Sequence, residues 1–253
     1  MKILGILGSH KENGVTRMAL DTVLNQVKFP NTTDFIYLED YNFGPDKGDA
    51  KDPVLDILES KMLEADVWVI AAPTYWGSLS GKLKDFFDCM RQRLVRIDHL
   101  GETHPDKFKD KHYISITDCY MSSIENFVTG VTDQSFRIID KVMSSAGVIK
   151  LNEIVVTNSY GLTELPNNKQ RQLRQAGIKL NSAIRKDDNT MKRYIELFFM
   201  IAVMALATMG IQSLTGLLAN HSFWLMWISF VVIFYVLLAC MLHFFTFVKH
   251  RRR

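Results

Sequence analysis

The sequence predicts an α/β domain, a five-stranded parallel sheet with helices on both faces, followed by a two-helix transmembrane hairpin. Three observations carry this reading. Short apolar runs alternate with longer periodic ones through residues 1–190, the pattern of repeated βα units and a covered parallel sheet. The run VWVIAA at 67–72, bounded by Asp66 and Pro73, reads as a strand buried on both sides. Beyond residue 196 the chain holds no Asp or Glu and becomes apolar over two long stretches.

Taken in order, the expected strands are Lys2–Leu7, Asp34–Leu38, Asp66–Ala71, His112–Thr117 and Asn152–Thr157. The expected helices are Gly14–Lys28, Val54–Glu64, Ser80–Arg96, Thr132–Ala146 and Asn167–Lys186. The segment Asn42–Lys51 is rich in turn residues and reads as the flexible loop of the domain. Met1-Lys2 runs directly into the first strand, so no signal peptide is expected.

The domain division is 1–190 and 191–253, with membrane spans over about 197–219 and 223–248. Neither run has a charged face, which separates them from the alternative of two amphipathic core helices. The linker Asn220-His221-Ser222 is too short for anything but an antiparallel hairpin. Arg185, Lys186, Lys192 and Arg193 precede the first span, and Lys249 and Arg251 to Arg253 follow the second. The positive-inside rule then puts the α/β domain and both termini on the cytoplasmic side of the cell membrane, with the lipid bilayer as a partner.

Charge excludes one function class. The chain of 253 residues carries a net +3, but residues 1–196 hold 26 basic against 27 acidic residues, and the four remaining cations lie after 197. No nucleic-acid-binding face is indicated. Cys89, Cys119 and Cys240 are scattered, with neither metal-ligand spacing nor a disulfide framework, so no metal is expected and a reducing compartment fits.

In open parallel sheets ligands bind beyond the carboxyl ends of the strands, where the chain order reverses. After the first strand comes Gly8-Ser9-His10-Lys11-Glu12-Asn13-Gly14-Val15-Thr16, opening a helix. Hydroxyls and free N–H groups at a helix N-terminus suit an anion, although the same residues serve as plain capping elsewhere. The nucleotide-triphosphatase and dinucleotide glycine patterns are both absent. After the third strand comes Pro73-Thr74-Tyr75-Trp76-Gly77-Ser78-Leu79-Ser80-Gly81-Lys82-Leu83-Lys84-Asp85-Phe86-Phe87-Asp88. Such a loop offers backbone amides and a flat apolar wall to a planar heteroaromatic ring; the alternative is that Tyr75 and Trp76 pack beneath the loop.

Together these two motifs resemble the flavodoxin-like NAD(P)H-dependent FMN reductases, a family that includes iron–sulfur flavoproteins. Its pattern Pro-x-Tyr-(Trp/Phe)-Gly-x-x-Ser-Gly-x-Leu-Lys-x-Phe-x-Asp is met at every specified position from Pro73 to Asp88. Its Gly-Ser-x-Arg-x-x-Gly-x-Thr pattern is met at Gly8, Ser9, Gly14 and Thr16, with Lys11 in place of Arg. The resemblance covers about residues 1–185 and implies a flavodoxin-like sheet of order 2-1-3-4-5, FMN as cofactor and NADH or NADPH as electron donor. It implies that Ser9, Lys11, Asn13, Gly14, Val15 and Thr16 cradle the FMN phosphate. It further implies that Pro73, Thr74, Tyr75, Trp76 and Gly77 line the ring edge, and that Thr117 and Asp118 begin the third loop of the site. A homodimer is implied as well.

Two departures stand out. No cysteine occurs before Cys89, so the cluster-binding loop of the iron–sulfur relatives has no thiolate ligands here. Asp118-Cys119-Tyr120 stands where the family has Gly-Gly. Hydride passes directly between nicotinamide and flavin, so no catalytic side chain is named. The function expected is a membrane-tethered NAD(P)H-dependent FMN oxidoreductase that passes electrons to a small acceptor such as a quinone or flavin. The alternatives are a membrane-anchored electron-transfer module and a non-enzymatic interaction module with a degenerate flavin site.

Overall fold

The computed structural model describes residues 1–46, 51–182, 189–214 and 223–251. It divides into two compact units, Met1–Ile184 and Arg185–Arg252. In the first unit β1 (Lys2–Leu7) leads to α1 (Val15–Leu24) and β2 (Thr32–Tyr37). Then α2 (Pro53–Glu64) leads to β3 (Val67–Ala71), followed by a hairpin of β4 (Thr74–Tyr75) and β5 (Ser78–Leu79). The single helix expected over Ser80–Arg96 is two, α3 (Gly81–Cys89) and α4 (Arg91–Leu94), ending in a second hairpin of β6 (Val95–Ile97) and β7 (Thr103–Pro105). The unit continues with β8 (His112–Asp118), α5 (Ser123–Thr129), α6 (Asp133–Ser145), β9 (Ile149–Val156) and α7 (Asn167–Lys179).

The main sheet has the order β2-β1-β3-β8-β9, all parallel, which is the expected 2-1-3-4-5. Strand alternation sends side chains to two faces. Leu4, Ile6, Trp68, Ile70 and Tyr113 pack with α2, α3 and α6 on one face. Ile3, Leu7, Val67, Val69, Ile114, Ile116 and Ile154 pack with α1 and α7 on the other. Both layers are apolar, which is why the strands read as continuous hydrophobic runs. The order reverses between β1 and β3, leaving a crevice between the loops that follow them.

Local chemistry fixes the helix starts. Asp52 caps α2 by accepting from Val54 N at 2.8 Å, with Pro53 in the first turn. Ser122 and Glu125 form a reciprocal capping box on α5, which ends at Gly130 in the left-handed region. The segment read as a flexible loop is anchored where it is described: Asp52 Oδ2 accepts from Gly44 N and Asp46 Oδ1 accepts from Asp52 N, both at 2.8 Å. Lys47 to Ala50 lie outside the described residues.

The second unit contains α8 (Asn189–Leu214) and α9 (Phe223–Arg251). Met204, Thr208 and Gln212 are buried along one stripe of α8. Gln212 Nε2 donates to Met226 O at 3.0 Å and to Ser229 Oγ at 2.7 Å in α9. Among the described residues no helix is long and apolar enough to cross a membrane. This overturns the transmembrane hairpin over 197–219 and 223–248. The apolar run from Leu197 reads as one uninterrupted segment, whereas Thr208, Gln212 and Ser213 break it within α8. Residues 215–222 of the expected hairpin lie outside the described residues. The cell-membrane localisation, the cytoplasmic placement of both termini and the bilayer partner fall with the hairpin. The linker Asn220-His221-Ser222 lies outside the described residues.

Candidate functional site

The carboxyl edge of the sheet brings the expected site residues together from three loops. The first follows β1. Gly8 is buried there, and an ideal Cβ on it would stand 2.6 Å from Leu83 Cβ, so only glycine lets α3 approach the turn this closely. Ser9 is buried, and its Oγ accepts from Lys11 N at 3.2 Å, which curls the turn. Lys11 and Asn13 are exposed, Gly14 and Val15 are half-buried and Thr16 is buried. Gly14 is the N-cap of α1 and supplies no side chain, so no side-chain cap engages the first N–H groups of that helix.

The second loop is the β4–β5 hairpin. Its two turn residues, Trp76 and Gly77, have φ of 53° and 73°, the double positive φ of a tight primed turn. Glycine accepts that geometry freely, but tryptophan is strained by it. The Trp76 ring is fully exposed, so it does not pack beneath the loop. Tyr75 is half-buried and its ring lies parallel to that of His10, with centroids 6.2 Å apart. Burial, and after it the nearby Asp118 carboxylate, pushes the Tyr75 phenol up; a hydrogen bond with Ser9 works against them. Pro73 is buried.

Several matched motif positions prove to hold the site together. Ser80 caps α3 and its hydroxyl donates to Gly8 O at 2.5 Å, tying the first loop to the second. The Thr74 hydroxyl shares hydrogen bonds of 2.8 Å with both Thr117 Oγ1 and Ser135 Oγ, tying the hairpin to the end of β8 and to α6. Thr74 and Thr117 therefore spend their side chains on each other.

The third loop begins at Asp118, which is 7% exposed. Thr16 Oγ1 donates to its Oδ1 at 2.5 Å across 102 residues of sequence. Burial raises the Asp118 pKa, and Thr16 and Ser159 lower it. Ser159 is buried, and its hydroxyl acts on the Asp118 carboxyl. The sequence reading missed Ser159, which follows β9 and stands in no motif. It also missed Tyr160, whose exposed ring meets that of Tyr120 edge to face with centroids 5.3 Å apart. The Cys119 thiol is buried and pushed up by that burial, so it stays neutral. Elsewhere, Asp98 accepts from Leu100 N, Glu102 N and His104 Nε2, which closes the β6–β7 hairpin.

Known proteins carry the same pattern. Residues 1–117 match the NADPH-dependent FMN reductase family. The resemblance read from the sequence thus holds over the segment that contains both motifs. An iron–sulfur flavoprotein from Archaeoglobus fulgidus is 37% identical over 107 residues, 38% of this chain and 51% of that protein. An FMN-dependent NADH:quinone oxidoreductase from Clostridium botulinum is 30% identical over 132 residues, 50% of this chain and 59% of that protein. The chain spans about half the length of the curated relatives it matches. An FMN-dependent NADH-azoreductase from Bacillus anthracis in complex with FMN shares the fold, with a TM-score of 0.55 and 16% identity over 72% of this chain and 99% of that one. The segment that matches the family ends at the carboxyl end of β8, so Asp118 is the next residue and Ser159, after β9, lies well outside it.

Proposed function

We propose that the α/β unit binds FMN along the carboxyl edge of its sheet and carries electrons from NADH or NADPH to a small acceptor, a quinone or a free flavin. The observation that carries this reading is the joining of three loops at that edge. Ser80 binds Gly8, Thr74 binds Thr117 and Thr16 binds Asp118. The family match over residues 1–117 supports it.

The donor set fits a flavin phosphate and ring in most respects. Ser9 and Thr16 supply hydroxyls, Lys11 a cation and the start of α1 its backbone N–H groups. Pro73 to Gly77 present a strained tight turn and an exposed indole to a planar ring. Bound FMN would supply hydride acceptance and electron transfer. The chain's own part is to anchor the phosphate and hold the ring edge against backbone amides, with no side chain needed as acid or base. Trp76 of the hairpin and Tyr120, Ile124 and Phe127, which follow β8, are exposed, and exposed apolar side chains suit a second copy of the chain.

The test is an absorption spectrum of the purified protein, then anaerobic addition of NADH or NADPH. A flavin spectrum that bleaches with either donor and recovers with a quinone is the expected result. Protein that neither contains FMN nor binds it when added would refute the reading. The second reading, a degenerate interaction module, has one observation in its favour: a carboxyl group, Asp118, engages the hydroxyl assigned to the phosphate.

A further inference from the structure

The Thr16 hydroxyl has a single proton to donate. In this structure it goes to Asp118 Oδ1 at 2.5 Å, and both residues are buried. An FMN phosphate at the start of α1 needs that same proton and brings negative charge toward an enclosed carboxylate. The two anions compete for one donor, and they repel each other more strongly than they would in water. We propose that Asp118 is a proton-linked selector of flavin. When it carries a proton this turn accepts the phosphate of FMN, and when it is ionised the turn favours a flavin that has no phosphate. The proposal rests on the flavin reading above.

The proton balance is simple. Ionised Asp118 accepts from Thr16. With one proton added from solvent, the Asp118 O–H donates to Thr16 Oγ1, and the Thr16 hydroxyl proton is released toward the phosphate. The buried Ser159 hydroxyl also acts on the Asp118 carboxyl, favouring its ionised form as Thr16 does. Binding FMN therefore takes up one proton that riboflavin does not require.

The surroundings favour such a switch. The influences on the Asp118 carboxyl are burial, Thr16 of α1 and Ser159 from the loop after β9, and no cation is among them. From β4 it faces the Tyr75 phenol, held neutral because burial pushes it up. On its own strand end lies the Cys119 thiol, also pushed up by burial, and the α7 cation acting there, Lys169, is directed at Cys119. A buried carboxyl without a partner cation protonates more readily than a surface one.

The experiment is fluorescence titration of the full chain with FMN and with riboflavin between about pH 5 and 8. Calorimetry in two buffers of different ionisation enthalpy then counts the protons taken up. In the native protein the ratio of FMN to riboflavin affinity should fall about tenfold or more as pH rises, with about one proton taken up on FMN binding. In Asp118→Asn the ratio should be higher and that fall absent. The second ionisation of the phosphate itself, near pH 6, acts on both proteins alike and cancels in the comparison. Equal ratios and equal proton uptake in the two proteins would overturn the selector while leaving the flavin reading intact. If neither flavin binds either protein at any pH, the flavin reading fails and the selector with it. Should Asp118→Asn not fold, the native ratio and proton count decide alone, because a flat ratio with no extra proton refutes the selector.

Discussion

Two buried charged groups of the α/β unit differ in their partners, and the difference separates architecture from site. Arg93 in α4 is 6% exposed and surrounded by carboxylates. Asp46 takes its Nε and Nη2 in a bidentate pair at 2.9 Å, Glu59 takes Nη1 at 2.8 Å, and Asp56 bonds the same nitrogen. The Asp52 carbonyl accepts a further bond at 3.2 Å. Asp118 is equally buried but meets only hydroxyls. A buried charge with its counterions in place clamps a fold, in this case the segment around Asp46 to α2 and α4. A buried carboxyl without a cation is an unmet electrostatic demand, and such groups gather where ligands bind.

The comparison breaks first at Arg93. Arg93→Ala leaves Asp46 and Glu59 enclosed without their counterion, and urea denaturation should register a loss of about 3–5 kcal/mol. The folded fraction of that variant should bind flavin as the native protein does. The pH signs of the two groups are opposite. The bidentate bond from Arg93 holds the Asp46 carboxyl below its ordinary value. Its contribution is therefore complete above the unfolded pKa, near 3.9, and is lost as pH falls through the lower folded value. Melting curves of the native protein should drop in that acid window, and those of Arg93→Ala should drop less.

Asp118 behaves the other way. Burial raises its pKa, so ionisation costs stability as pH climbs from the unfolded value to the folded one. Asp118→Asn should raise stability by about 1 kcal/mol at pH 8 and bring no gain near pH 4, as followed by thermal melts at both pH values. A destabilised variant at pH 8 would mean that the Thr16 bond outweighs the burial cost. The smallest expected effect is at Trp76. Trp76→Gly relieves a positive φ and should add about 0.5–1 kcal/mol, while flavin affinity weakens through loss of the indole wall.

Much of this was legible in the chain. β1 spans Lys2–Leu7 as expected, and the other four strands of the sheet differ from expectation by a few residues at their ends. Period-two and period-3.6 patterns are local, so they survive without tertiary information. The Pro73–Asp88 run lies at the carboxyl edge of the sheet, and its residues divide their work in ways the pattern does not display. Ser80 and Gly8 fasten the loops, and Trp76 stands in solvent. The two C-terminal runs misled because apolar length counts residues along the sequence, whereas α8 carries Thr208, Gln212 and Ser213 within the run and turns Gln212 toward Met226 and Ser229.

The sequence by itself determined the parallel α/β sheet, its strand order through family resemblance and the two motif loops at its carboxyl edge. Only the tertiary structure decided that Thr16 meets Asp118 and that Arg93 meets Asp46, partners 102 and 47 residues apart. The reason is physical. Helix and strand patterns report each residue's own face, but a buried charge's energy depends on which distant groups the strand order carries to it.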